Sequence, residues 1–157
     1  MRRSPHIMGV VCVVVGVVAI VAGITTYVVV GKTLSDQHIT VADDAPFLAG
    51  KQVKGPFTAY AQAIALSNHA KDIGAGETYA ELPQNDPKRN SVMTADFLQA
   101  SLYTSVVAFG VAVLVVGLGV MFLLLGFAVR ELDRRTVAAE EEVPQAALVK
   151  AAPVPVT

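Results

Sequence analysis

Cysteine is scarce in this sequence, and so is charge of a single sign. The one cysteine, Cys12, lies inside a long apolar run, so no intrachain disulfide and no cysteine-based zinc site can form. The 12 basic and 13 acidic residues give a net charge of -1. The chain therefore lacks the broad cationic surface that neutralises nucleic-acid phosphates, and nucleic acid is not an expected partner.

Motifs for catalysis are missing as well. The sequence contains neither a Gly-x-Ser-x-Gly motif nor a Cys-His arrangement of the kind that nucleophilic enzymes use. The two long apolar runs carry no Asp, Glu, Lys, Arg or His, although transporters place such groups within the membrane and haem-binding helices carry histidine there. We therefore expect no catalytic residue, no cofactor and no small-molecule substrate.

Three histidines, His6, His38 and His69, are the remaining candidates for metal chemistry. In the topology derived below, His6 lies across the membrane from the other two. A two-histidine, one-carboxylate iron site built on His38 and His69 stays open as a remote alternative. The 31 residues that separate these two histidines form no local ligand signature, so we expect no metal.

Two uncharged runs are long enough to cross a membrane. Residues 7–31 contain no charge and include eleven valines, and 33 uncharged residues lie between Asp96 and Arg130. A helix needs about 20 apolar residues to span the hydrocarbon, and in lipid every backbone amide must be satisfied within the segment. The sequence therefore predicts two transmembrane helices.

Basic residues predict the direction of these helices. Five arginines flank the two runs on the sides nearest the chain termini. Arg2 and Arg3 precede the first run, and Arg130, Arg134 and Arg135 follow the second. Because positively charged flanks stay in the cytoplasm, both termini should be cytoplasmic, in the inner (plasma) membrane. Tyr27 and Tyr103 would then lie at the outer interface, where amphipathic rings are favoured.

A cleaved signal peptide is the rival interpretation of the N-terminus, since Arg2 and Arg3 precede the first apolar run. The run is longer than a signal peptide's apolar region, and no small-x-small cleavage site followed by a polar start is evident. We favour a retained anchor. The predicted segments are a cytoplasmic N-terminus (1–6), transmembrane helix 1 (7–31), an extracytoplasmic cap (32–100), transmembrane helix 2 (101–129), and a cytoplasmic helix extension with a flexible tail (130–157).

The cap should be small, mostly helical and irregular. It carries six basic and eight acidic groups, a net charge of -2, and too few apolar residues for a large core. Residues 39–41 alternate like a short strand, and Asp43 to Pro46 predicts a turn. A helix is predicted from Pro56 through about Lys71, ending near Gly74 and Gly76. Ser91 or Thr94 is expected to be the N-cap residue of the helix that enters the second span.

Two sets of residues are candidate contact sites. Phe57, Tyr60, Ala61 and Ile64 recur at helical spacing, and Phe57, Tyr60 and Ile64 are predicted to form a docking face for a partner. In the spans, glycines at intervals of seven favour close helix packing, whether within the chain or against a partner. These helix-packing candidates are Gly9, Gly16, Gly23, Gly110 and Gly117, and Gly119 and Gly126 have the same spacing.

Three blocks of sequence resemble a group of small actinobacterial two-span membrane proteins. They are ITVADDAPFLAGKQVKGPFTAYAQA at 39–63, TYAELP at 78–83 and FLQASLYTSVVAFGVAVLVVGLGV at 97–120. Members are often labelled aromatic ring-opening dioxygenases, a label that the residues here do not support because the iron ligands are not assembled. In its size and its lack of cofactor ligands, the chain also resembles the small accessory membrane subunits of the actinobacterial respiratory supercomplexes that join a cytochrome bc complex to a cytochrome oxidase.

These observations predict an all-α membrane protein, a hairpin of two transmembrane helices with a small cap. The expected function is that of a non-catalytic accessory subunit of a larger membrane complex, respiratory in the first place. A cell-envelope or assembly factor is the alternative.

Overall fold

The computed structural model describes the backbone of residues 4–150 and the side chains of residues 7–135. Three helices are present: α1 (Ser4–Asp36), α2 (Pro56–Ile73) and α3 (Lys88–Lys150). No strand forms in these residues, and the only β-type pairing among them is an isolated antiparallel bridge between Thr40 and Gln52. The all-α prediction is confirmed for this part of the chain.

Helices α1 and α3 contain the two predicted spans. The stretches Ile7–Asp36 and Lys88–Arg135 are each long and apolar enough to cross a membrane. Only 17% of the most apolar window of each is buried within the protein, whereas the core helix of a soluble protein would be mostly buried. The two helices are therefore compatible with membrane insertion. The side of the membrane on which the termini lie stays a prediction.

Polar side chains in the apolar parts of these helices bond to their own helix. The hydroxyl of Thr26 donates to the carbonyl of Ala22 at 2.9 Å, and that of Thr104 donates to Ala100 at 2.8 Å. This bond to the carbonyl one turn earlier satisfies a hydroxyl without water. These residues can therefore lie in a lipid-facing helix without an unpaired donor.

The start of α3 differs from the predicted one. Asp86 accepts a hydrogen bond from the amide of Lys88 at 2.8 Å, in the manner of an N-cap residue, and Pro87 follows it. Thr94 lies within the helix, where its hydroxyl bonds to the carbonyl of Asn90. The expectation that Ser91 or Thr94 caps this helix is therefore wrong, because Asp86 supplies the N-cap about one to two turns earlier.

The predicted bounds of α2 agree closely with the structure. Gly55 occupies the N-cap position, Pro56 begins the helix, and the hydroxyl of Thr58 accepts from the amide of Gly55 at 3.2 Å. At the other end the amide of Gly74 bonds to Ala70, and Gly76 has a φ of 92°, in the left-handed region that favours glycine.

The predicted strand at 39–41 is present only as one side of a short antiparallel pairing with residues 51–53. Residues 39–53, in which the chain reverses direction, are called the turn-back segment or loop. The amide of Val41 donates to the carbonyl of Lys51, and the amide of Val53 donates to that of Ile39, both at 2.8 Å. The pairing stops there, because a turn begins at Asp43 and α2 begins soon after Val53. Side chains reinforce it: Gln52 donates to the carbonyl of Ser35 at 3.1 Å.

The chain divides into two units. The first contains Met1–Val21 and Gly117–Thr157, and the second contains Ala22–Val116. In the first unit the early part of α1 packs against the late part of α3. The second unit holds residues 32–100 and the adjoining ends of both long helices, and the hydrophobic core of the described residues lies in it. The core side chains are Leu34, Val41, Val53, Ala59, Ala61, Ala63, Leu102 and Phe109.

Candidate functional site

In the first unit, two glycines of α1 lie directly against two glycines of α3. A Cβ added to Gly16 would lie 2.7 Å from the carbonyl oxygen of Gly119, and one added to Gly119 would lie 2.8 Å from that of Gly16. Gly9 and Gly126 meet in the same way, at 3.1 and 2.8 Å. Backbones this close leave no room for any larger residue, so both pairs set the separation of the antiparallel helices.

In the second unit, Gly23 continues the seven-residue series of α1, and its partner on α3 is an alanine instead of a glycine. A Cβ added to Gly23 would lie 2.8 Å from the carbonyl oxygen of Ala112. Ala112 is buried and stands seven residues before Gly119, so it continues the series of small residues on α3. Sequence reasoning missed Ala112 because it counted glycines only. A search for any small residue at intervals of seven would have found it.

Gly110 and Gly117 do not face α1. Apart from their chain neighbours and the surrounding backbone of α3, no atom of the described residues lies within 4 Å of a Cβ built on either residue. Both are exposed, and their surroundings on α3 include the exposed side chains of Val113 and Leu114. The structure thus brings together Gly9, Gly16 and Gly23 with one set of small residues on α3 and turns a second set outward.

The residues of the predicted docking face differ in how much of each side chain is exposed. Phe57 is 74% exposed and Tyr60 is 44% exposed, whereas Ile64 is half-buried and Ala61 is fully buried. The ring of Tyr60 lies 6.3 Å from that of Phe47 and 6.0 Å from that of Tyr103. An exposed aromatic row therefore connects the turn-back loop, α2 and the start of the second predicted span.

Alanines, not the larger residues, make α2's buried contacts. Ala59, Ala61, Ala63 and Ala65 are fully buried, so the helix approaches its neighbours closely on two sides. Gln62 is the one buried polar side chain among the described residues, and its Oε1 accepts from the amide of Ala42 at 2.7 Å. A lone uncharged polar residue among alanines was the sequence signal for this contact.

The TYAELP block forms a closed turn beside the start of α3. The amide and the hydroxyl of Thr78 both donate to the carboxylate of Glu81 at 2.8 Å. The guanidinium of Arg89 lies 4.1 Å from the centre of the Tyr79 ring and donates to the carbonyl of Leu82, whose side chain is buried. These contacts hold the block together beside the start of α3.

Electrostatics in this turn favour the ionised carboxylate. The backbone amide of Thr78, and then its hydroxyl, hold the pKa of Glu81 below its usual value of 4.5 because both donate to the charged form.

The two histidines of the cap segment do not converge on a metal site. His69 Nε2 lies 2.8 Å from Asp44 Oδ2, an exposed pair that ties α2 to the turn-back loop. His38 has a φ of 53° at the turn after α1. No group of three His, Cys, Asp or Glu side chains within residues 7–135 is arranged to hold a metal ion. The expectation of no metal and no cofactor stays a prediction.

No known protein family matches the chain, and no curated protein or solved structure is significantly similar to it.

Proposed function

We propose that this chain is a non-catalytic accessory subunit of a larger membrane complex, held in the bilayer by α1 and α3. The observation that carries the proposal is the outward-facing pair Gly110 and Gly117 on α3. Glycine weakens a helix and adds no apolar contact, so it has little reason to face lipid. Close approach of a helix from another chain explains both positions, since small residues allow such packing in membranes.

The cap segment offers a second contact surface. Phe57 and Phe97, at 74% and 72% exposure, are among the most exposed large apolar side chains outside the two predicted spans. Large apolar side chains left open in a small cap favour contact with a partner or with the membrane surface. In this proposal Phe57 and Tyr60 dock on the partner, while Ile64 contributes from its half-buried position.

A respiratory cytochrome bc–oxidase supercomplex is the proposed partner. The support for this choice is the small size of the chain and its lack of cofactor ligands, together with the absence of ionisable groups in the apolar runs, which suits a subunit that carries neither ions nor electrons. A cell-envelope or assembly role is the alternative, and the experiment below separates the two.

Pull-down in mild detergent with a tag on the C-terminus tests the proposal. We expect the full chain to capture a membrane complex with cytochrome absorbance. Gly117→Leu should reduce the yield several-fold, because leucine would keep a partner helix from approaching α3. The matched control is Val120→Leu, an exposed position one turn away that has a side chain already.

Each outcome has a definite meaning. Capture of cell-wall enzymes without cytochromes would replace the respiratory assignment with the envelope role. Recovery of a lone monomer, under conditions that keep other membrane complexes intact, would contradict the accessory-subunit proposal. Equal yields from Gly117→Leu and Val120→Leu would remove α3 as the contact.

A further inference from the structure

Helix α3 lines a pocket of about 330 Å³ at the point where the second predicted span ends. Four side chains of this helix form the lining: Phe127, Arg130, Glu131 and Arg134. They follow one another at helical spacing, so they share one face of α3. The whole pocket belongs to the first unit of the chain.

The two arginines give this pocket an uncompensated positive charge. The carboxylate of Glu131 accepts a hydrogen bond from Nε of Arg135 at 3.0 Å, one turn farther along the helix. Within residues 7–135, neither Arg130 nor Arg134 forms an ion pair. Asp133 does not line the pocket. Two guanidiniums are therefore available to one anionic ligand.

Contact with α1 positions one of these guanidiniums. A Cβ added to Gly9 would lie 2.7 Å from Cγ of Arg130 and 3.5 Å from its Cδ, so the arginine stem lies across α1 where glycine leaves room for it. Arg130 is half-buried, whereas Arg134 is exposed. A side chain that is already ordered by packing loses less entropy when it binds a ligand. The contact at Gly9 therefore preorganises the pocket.

The order of the lining along α3 matches the order of chemistry in a bilayer. The second span is predicted to end at residue 129, so Phe127 belongs to it, Arg130 is the first residue beyond it, and Arg134 follows about 6 Å farther along the axis. A bilayer presents acyl chains and then, farther out, the polar headgroups of its lipids. The Cα–Cβ bonds of a helix tilt toward its N-terminus, so those of both arginines tilt back toward the span.

We propose that this pocket binds the phosphate of one anionic glycerophospholipid between Arg130 and Arg134, while an acyl chain lies against the ring of Phe127. A guanidinium suits this ligand because its planar fork can donate two parallel hydrogen bonds to phosphate oxygens. The ring of Phe127 is 57% exposed and can cover the apolar part of the lipid. The inference rests on the membrane-spanning part of the proposed function, and it is independent of which complex the subunit joins.

Native mass spectrometry of the full chain in neutral detergent micelles tests the ligand. Dioleoylphosphatidic acid and dioleoylglycerol differ only in the phosphate. We expect the wild-type chain to retain a single phosphatidic acid and several-fold less of the diacylglycerol. Inorganic phosphate at the concentration of the lipid should not displace it, because the free ion lacks the acyl chains that contact Phe127.

A pair of charge-removing variants tests the residues. Arg134→Gln should lower retention of phosphatidic acid several-fold. The matched control is Lys32→Gln, which removes one positive charge at an exposed position beside the other predicted span and outside the pocket, and it should retain the lipid. Purified protein in micelles has no sidedness, so an effect of the lost arginine on the direction of insertion does not enter the comparison. Should Arg134→Gln fail to fold, the comparison of the two lipids on the wild type still decides.

Three results would each overturn the proposal: equal retention of the two lipids by the wild type, displacement of the lipid by inorganic phosphate, or equal retention of phosphatidic acid by Arg134→Gln and Lys32→Gln. Labelling of the two sides of the membrane tests the spans, and the pull-down with Gly117→Leu tests the contact with a partner. Neither experiment uses this pocket. A failure here is therefore distinguishable from a failure of the accessory-subunit role.

Discussion

Single glycines in α3 differ in their surroundings although they share one spacing. Gly119 lies against the backbone of α1, and Gly117, two positions earlier, has open space around it. The seven-residue interval was readable from the sequence, because it keeps residues near one helical face. The sequence does not show which of the two glycine series faces α1, since the rotation of α3 about its axis depends on how the whole interface packs. The sequence therefore predicted small-residue packing but not its register.

The inward glycines should be intolerant of any side chain. In Gly16→Leu the new Cβ would lie 2.7 Å from the Gly119 carbonyl oxygen and 3.0 Å from Leu123, so the helices must separate. Overpacking of this kind costs about 1–3 kcal/mol. We expect Gly16→Leu to unfold at lower denaturant in mixed micelles than Val15→Leu, whose position is exposed. Equal midpoints for the two variants would contradict the interface.

The turn at Thr78 should have a measurable pH dependence. Since the pKa of Glu81 is lowered in the folded chain, its hydrogen bonds stabilise the turn above about pH 4.5, and this contribution is lost as the pH falls through the folded pKa. Thr78→Val removes the hydroxyl donor and keeps the amide, so the pKa should rise part of the way to its usual value. Carboxyl NMR titration measures this. An unchanged midpoint in Thr78→Val would mean that the hydroxyl makes no contribution.

At the scale of elements, local signals predicted α2 more accurately than the start of α3. The Gly55-Pro56 pair and the later glycines give α2 unambiguous ends, and the structure has Pro56–Ile73. For α3 the equivalent signal was Asp86-Pro87, but that pair lies in a stretch rich in turn residues, and the prediction placed the start nearer the apolar run. The turn-back at 39–53 was harder to predict, because three alternating residues do not reveal which segment they pair with.

Replacing Asp86, the N-cap residue of α3, should destabilise the first turn of that helix. Asp86→Ala removes the acceptor for the Lys88 amide and should destabilise the first turn by about 1 kcal/mol. Hydrogen exchange at residues 88–91 should accelerate several-fold. Asp96→Ala, an exposed aspartate farther along the same helix, should leave these amides unchanged. Equal protection in both variants would show that Asp86 does not stabilise the helix start.

For the whole molecule, composition and run length sufficed to predict the all-helical class, because uncharged runs of this length have few alternatives in a membrane. The burial of Phe109 and Val53 in one core was beyond the sequence, since it depends on contacts between distant segments. The pocket beside Arg130 was only partly hidden. Two arginines one turn apart after an apolar run are readable from the sequence, whereas the contact of Arg130 with Gly9 depends on how α1 packs against α3.

Topology is the prediction on which the larger proposals depend. Five arginines flank the two apolar runs on the sides nearest the chain termini. They should keep both termini in the cytoplasm, with residues 32–100 on the other side of the membrane. After Cys12→Ser, we expect a cysteine at Gln84, an exposed position in the loop before α3, to react with an impermeant maleimide on intact cells. A cysteine at Glu141, in the predicted cytoplasmic segment, should react only after lysis. The opposite pattern would invert the hairpin and place the cap at the inner leaflet, whereas labelling of both sites on intact cells would rule out a pair of spans with termini inside.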